Sequence, residues 1–127
     1  MSTVKAANLQ NTGSGAPAFK NSSGTEIGHL CKAFVSWDGT NATIDASFNV
    51  SALTDNGTGD YTLSFATNFA NTNYSIAGIC GGKSNETNDR NMGLDTVSVG
   101  SVRVKVRNAD TDTLKDVAKN CLVFFAV

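Results

Sequence analysis

The sequence predicts an all-β domain, an antiparallel β-sandwich or jelly-roll-like fold, preceded by an extended N-terminal arm. Three observations carry this. Apolar and polar residues alternate along several short runs. Glycine-, asparagine- and aspartate-rich turns break these runs at intervals of about ten residues, as in sandwiches and barrels. The composition favours turns and exposed strand faces over helix interiors. Of 127 residues, 40% are hydrophobic and only 17% charged, so 12 glycines and many Asn, Thr and Ser residues supply the polarity. The length suits one ordinary domain.

Residues 1–28 read as the arm and 29–127 as the sandwich. The arm holds Asn11-Thr12-Gly13-Ser14-Gly15, the sole proline Pro17, and Asn21-Ser22-Ser23-Gly24. Its apolar residues are sparse, so it cannot bury enough surface to fold by itself. Val4, Leu9, Phe19 and Ile27 are spaced like anchor points, and are the expected docking or oligomerisation residues on a neighbouring subunit or larger particle.

The strands follow. Lys32 to Trp37 is β-prone and ends at Asp38-Gly39, a hairpin signal. Thr43 to Val50 reads as one strand, with Ile44, Ala46, Phe48 and Val50 on one buried face. A glycine-rich turn, Asp55 to Asp60, leads to Tyr61, Leu63 and Phe65 on the next buried face. Asn68 to Asn73 is a polar connection around Phe69, and Tyr74 to Cys80 is a further strand. Gly81 to Gly93 reads as the longest loop of the strand region. Val97 and Val99 alternate in one parity and Val102, Val104 and Val106 in the other, which beside Gly100 reads as a β-bulge. Asn108 to Thr113 is a loop, and Leu114 to Asn120 a helical turn or an irregular crossing. The closing run Leu122 to Val127 is apolar on both faces. Such a strand is either central and covered on both sides or meets another subunit, so Phe124 and Phe125 join the expected docking residues.

Charge and motif content narrow the function classes. Net charge is -1, and the one cationic cluster, Arg103, Lys105 and Arg107, lies on one face of a strand. This lacks the electrostatic footprint of a nucleic-acid binder. No signal-peptide pattern follows Met1 and no run reaches the length of a membrane span, so synthesis in a cytoplasm without membrane insertion is expected. Cys31, Cys80 and Cys121 are far apart and odd in number, which reads as buried reduced thiols, with one bridged pair left open. His29 is the single histidine; Cys31 is two residues on, but no orienting third group or oxyanion motif accompanies them. The aspartates mostly fall in turns, where they bond local backbone. No catalytic, metal-binding or cofactor-binding residues are therefore expected, and the chain is not expected to be an enzyme. Trp37, Tyr61 and Tyr74 read as core or interface residues, with stacking against a glycan as the other use.

Residues 33–78 resemble a known family. The stretches Ala33-Phe34-Val35-Ser36-Trp37-Asp38-Gly39-Thr40, Ala46-Ser47-Phe48-Asn49-Val50-Ser51, Thr54-Asp55-Asn56-Gly57-Thr58-Gly59-Asp60-Tyr61-Thr62 and Asn73-Tyr74 are similar to a C-terminal module of marine bacteriophage tail-fibre and fibre-tip proteins. The polar leader from Val4 to Asn11 resembles the start of such proteins. The resemblance implies a virion structural protein, often a homotrimer, with no catalytic residues to carry over. The length leaves no room for a long shaft, which favours a short fibre, a tip, or a small protein decorating capsid or tail. Expected partners are other virion proteins, further copies of itself, and a host-surface glycan or protein; nucleic acid is not among them. The exposed contact loop is expected at Lys83, Asn85, Glu86, Asn88, Asp89 and Arg90. A capsid or tail cement protein, docked through its arm, and a carbohydrate-binding β-sandwich are the alternatives.

Overall fold

The computed structural model describes residues 19–28, 30–82 and 89–126. Val4 and Leu9 lie outside the described residues, as do Lys83, Asn85, Glu86 and Asn88. The chain divides into two compact units, Met1–Leu30 and Cys31–Val127.

In the first unit, the described residues form a small hairpin. β1 (Phe19–Lys20) pairs antiparallel with β2 (Glu26–Gly28). Asn21 builds the turn: its Oδ1 accepts from the Ser23 and Thr25 amides at 3.1 and 2.9 Å, the local bonding for which Asn is favoured in turns. Gly24 takes φ +80°, which costs glycine nothing. This stretch of the expected arm therefore folds back on itself and is not extended.

The second unit is an all-β sandwich of two four-stranded antiparallel sheets. The first sheet has the order β4-β3-β10-β7 and the second β5-β6-β9-β8. Their ranges are β3 (Ala33–Asp38), β4 (Thr43–Phe48), β5 (Val50–Gly57), β6 (Asp60–Phe65), β7 (Ser75–Gly81), β8 (Arg90–Val97), β9 (Ser101–Asn108) and β10 (Lys119–Phe125). The expected alternation builds the core. Tyr61, Leu63 and Phe65 from β6 and Val102, Val104 and Val106 from β9 meet Ala33, Val35 and Trp37 from β3 and Leu122 and Phe124 from β10, all buried. Phe65, Phe69, Tyr74 and Phe124 form an aromatic cluster with ring centroids 4.5–6.3 Å apart. Such pairs add to the stabilisation from burial alone. Phe69, within a polar connection, thus belongs to the core.

Three elements differ from expectation. The run Thr43 to Val50 is two strands in two sheets. Asn49 sits between them at φ +54°, a left-handed conformation that Asn tolerates better than most residues. Its side chain fixes the corner: Oδ1 accepts from the Thr67 amide at 2.7 Å and Nδ2 donates to the Thr67 and Lys32 carbonyls. Strands that cross between sheets turn at such bends. The register also shifts opposite Ser36 and Trp37, so Ile44 packs on the core while Phe48 is 56% exposed. At Gly100 the parity change marks a hairpin and not a bulge. Val97 pairs with Val102, and the Ser98 amide donates to the Ser101 carbonyl at 2.9 Å. β8 begins at Arg90, so the expected loop Gly81 to Gly93 is shorter at its C-terminal end. Leu114 to Ala118 is an irregular crossing, joined to β9 through the Arg107–Leu114 bridge.

Candidate interaction surface

β10 is central in the first sheet, between β3 and β7, and among the described residues of the sandwich only one of its faces is covered. Asn120, Leu122 and Phe124 point into the core; Cys121, Val123 and Phe125 point outward. Phe124 is 0% exposed, so its expected docking role is corrected: it packs inside its own sandwich, where its ring meets Phe65 at 5.2 Å. Phe125, 40% exposed, lies on the outward side.

The register builds an apolar row across that outward side. Phe48 pairs with Phe34, Phe34 with Val123, and Val123 with Ala77, one residue from each strand in turn. The Phe34 and Phe48 rings lie 6.3 Å apart, stacked. The neighbouring row is Ala46, Ser36, Cys121 and Ile79. Ile79 is 72% exposed. The charges on this face sit to one side, where Lys119 donates to Asp45 at 3.0 Å and to the Ser36 hydroxyl. That bond raises the Lys119 pKa above its ordinary value. Contiguous apolar surface is a common feature of contacts with other macromolecules.

The outward side of the second sheet is the opposite. Arg103 donates through two nitrogens to the two oxygens of Asp60, both at 2.7 Å, a fork-on-fork pair. These bonds hold the Asp60 carboxyl below the usual carboxylate range, against the raising effect of its burial. Lys105 pairs with Asp95 and lowers its pKa in the same way. Arg107 donates to the Asp112 carbonyl at 2.8 Å. The cationic cluster is thus a surface face whose members all have acidic or carbonyl partners.

One end of the sandwich is closed by a polar knot. The Tyr61 hydroxyl donates to Asp116 Oδ1 at 2.6 Å and lies 2.8 Å from the Gly39 carbonyl oxygen. The Gly59 amide donates to the same carboxylate at 2.7 Å. Gly59 has φ +64°, and a Cβ there would lie 2.5 Å from the Val106 carbonyl, so glycine is required on both counts. Burial, with the adjacent Asp116 carboxylate, pushes the Tyr61 pKa up. This knot fastens three chain segments around Tyr61. Trp37, edge-on to Tyr61, and Tyr61 itself are 0% exposed, and Tyr74, in the aromatic cluster, is 8% exposed, so none of these rings offers a face for a sugar.

A cleft of about 240 Å³ runs between β7 and β8, lined by Ile76, Gly78, Met92, Gly93, Leu94 and Leu122. Its walls are aliphatic. Gly78 has the form it needs there, because a Cβ would meet the Leu122 side chain at 2.3 Å. Cys31, Cys80 and Cys121 are free thiols and half-buried. Burial raises the Cys80 pKa. Among the described residues, no group of three or more His, Cys, Asp or Glu is placed to hold a metal ion, and no helix is long and apolar enough to cross a membrane.

Of the remaining expected site residues, Phe19 and Ile27 are 43% and 66% exposed on the N-terminal hairpin. Asp89 is exposed, and Arg90 is half-buried at the start of β8. The apolar rows through Phe34, Phe48 and Ile79 were not foreseen. A signal existed at Ala33-Phe34-Val35, which is apolar in both parities, as in β10. Comparison with protein-family models, curated proteins and solved structures gives no match.

Proposed function

We propose that this chain is a bacteriophage virion structural protein, a short-fibre or fibre-tip-like subunit exposed on the particle and taking part in host attachment. The supporting observation is the outward face of the first sheet, where, among the described residues, Phe34, Phe48 and Ile79 are exposed and Val123 is half-buried. A subunit built into a larger assembly gains by burying such a face. The resemblance of residues 33–78 to phage fibre modules supports the same reading. In this reading the chain has no catalytic role, and residues 1–28 join copies as a homotrimer or dock them on the particle. The segment from Lys83 to Arg90 meets the host surface.

The second reading is a cement protein on capsid or tail, favoured by the same face, since decoration also buries an apolar patch against a shell. The burial of Trp37, Tyr61 and Tyr74 weighs against the carbohydrate-binding reading. Immunogold labelling of purified particles with antibody to the sandwich tests the proposal. Gold at the tail end is the expected result. Gold over the shell would favour decoration, and unlabelled particles would overturn both.

A further inference from the structure

Four strands end the two sheets, and three of them carry devices that oppose further pairing. The β3–β4 register is broken opposite Ser36 and Trp37, and Asp45 of β4 reaches the outer face there. β5 has two register shifts and carries Asp55. β8 is irregular between Leu94 and Thr96 and carries Arg90 and Asp95. Sandwiches use bulges and charges in this way because an edge strand presents a row of unpaired N–H and C=O groups to any other chain. β7 has no such device. Its seven residues, Ser75-Ile76-Ala77-Gly78-Ile79-Cys80-Gly81, include no charge and no proline. Its register with β10 runs unbroken from Ser75 to Gly81. Among the described residues, no strand pairs with its other side.

We propose that β7 is a contact between copies of this chain, pairing antiparallel with β7 of a second copy to join two four-stranded sheets into one. The strand suits its own partner. A register centred on Gly78 sets Ile79 opposite Ala77 of the second copy, and Ile76 opposite Cys80, large against small on both faces. Gly78 then faces its own equivalent, as an isologous two-fold contact requires. The strand is neutral, so no like charges are brought together.

Size allows it. Seven residues span about 24 Å at ~3.4 Å each, and two layers ~10 Å apart give the edge a depth of roughly 20 Å. The contact then covers on the order of 500 Å² per copy, about 1,000 Å² in all, which is the threshold for a specific interface. Pairing also covers the aliphatic cleft along that edge, where Leu94 is 56% exposed. In the joined sheet the row from Phe48 to Ala77 runs on into Ile79 and Cys121 of the second copy. The inference concerns the sandwich alone and stands whether or not the chain belongs to a virion.

The test follows the mass of the full chain by light scattering over a wide dilution series, with amide exchange in parallel. The base mass is expected to double as concentration rises, while amides of β7 slow and those of β4 and β5 do not. Ile79→Lys places a charge on an exposed position of the edge and is expected to weaken association by about tenfold or more, at unchanged melting temperature. Ile79→Val is expected to retain it. A mass independent of concentration with unchanged β7 exchange would overturn the proposal. So would a doubling of the base mass that survives Ile79→Lys, or that protects β4 or β5 in place of β7.

Discussion

The outward sides of the two sheets are built on the same pleat and the same antiparallel pairing, yet they present opposite chemistry. On the second sheet, Asp60, Arg103, Lys105 and Asp95 interlock across three strands, and each charge has a partner. On the first, Phe48, Phe34, Val123 and Ala77 follow one another across four strands, with the Lys119–Asp45 pair to one side. Both sheets contribute inward residues to one core. Folding therefore explains the inward residues and is indifferent to the outward ones, which is why the difference between the outward sides carries information about partners. A face that water covers is free to hold ion pairs. A face that another chain covers does better without them, because desolvating a charge is expensive.

Neighbouring residues on β10 sharpen this contrast most. Phe124→Ala removes a fully enclosed ring and is expected to cost about 3–5 kcal/mol in chemical denaturation. Phe125→Ala, one residue on and facing outward, is expected to cost under about 1 kcal/mol. Equal costs would mean that the outward side is as firmly packed as the core. The pair Phe34→Ser and Phe48→Ser comes next. It removes the stacked rings and should lower stability by about 1 kcal/mol, within the range of cross-strand pairs, while raising solubility and abolishing incorporation into particles. Full incorporation of that variant would mean that the apolar rows of the first sheet are not a contact in the particle.

The charged side gives smaller, pH-dependent effects. Asp60 is held below its ordinary pKa in the folded chain, so its contribution is present above about pH 4 and fades as pH falls through its folded value. Asp60→Asn is expected to cost about 1 kcal/mol near neutrality and to flatten the acid limb of the stability profile. The smallest change is Lys105→Gln, expected within about 0.5 kcal/mol, because partly exposed ion pairs contribute little and are screened by salt.

How legible this was in the sequence varied with the physics of each element. Tyr61-Leu63-Phe65 and Val102-Val104-Val106 announce themselves by alternation, because one side is buried and the other wet. The run Thr43 to Val50 misleads for the same reason: a register shift and the left-handed Asn49 each rotate the chain, and both leave the spacing of apolar residues intact. Gly100 could mark a bulge or a turn, and only the Val97–Val102 pairing decides between them. Strand β8 begins without alternation at Arg90-Asn91-Met92-Gly93, so it read as loop. The apolar outward face was half legible. A closing run apolar on both sides pointed to a second covered face, but which residues share that face depends on pairing between β3, β10 and β7, which lie far apart in sequence.

Cys121 offers a native probe of whether the outward face of the first sheet is covered in the assembled protein. It sits within that face, beside Ser36 and Ile79, whereas Cys80 points inward. Site-resolved alkylation of the thiols would be measured in the dilute free chain and in purified particles. Cys121 is expected to react in the free chain and to be protected in the particle, with Cys80 slow in both. Alkylation of Cys121 at the same rate in both states would mean that the face is not covered in the particle.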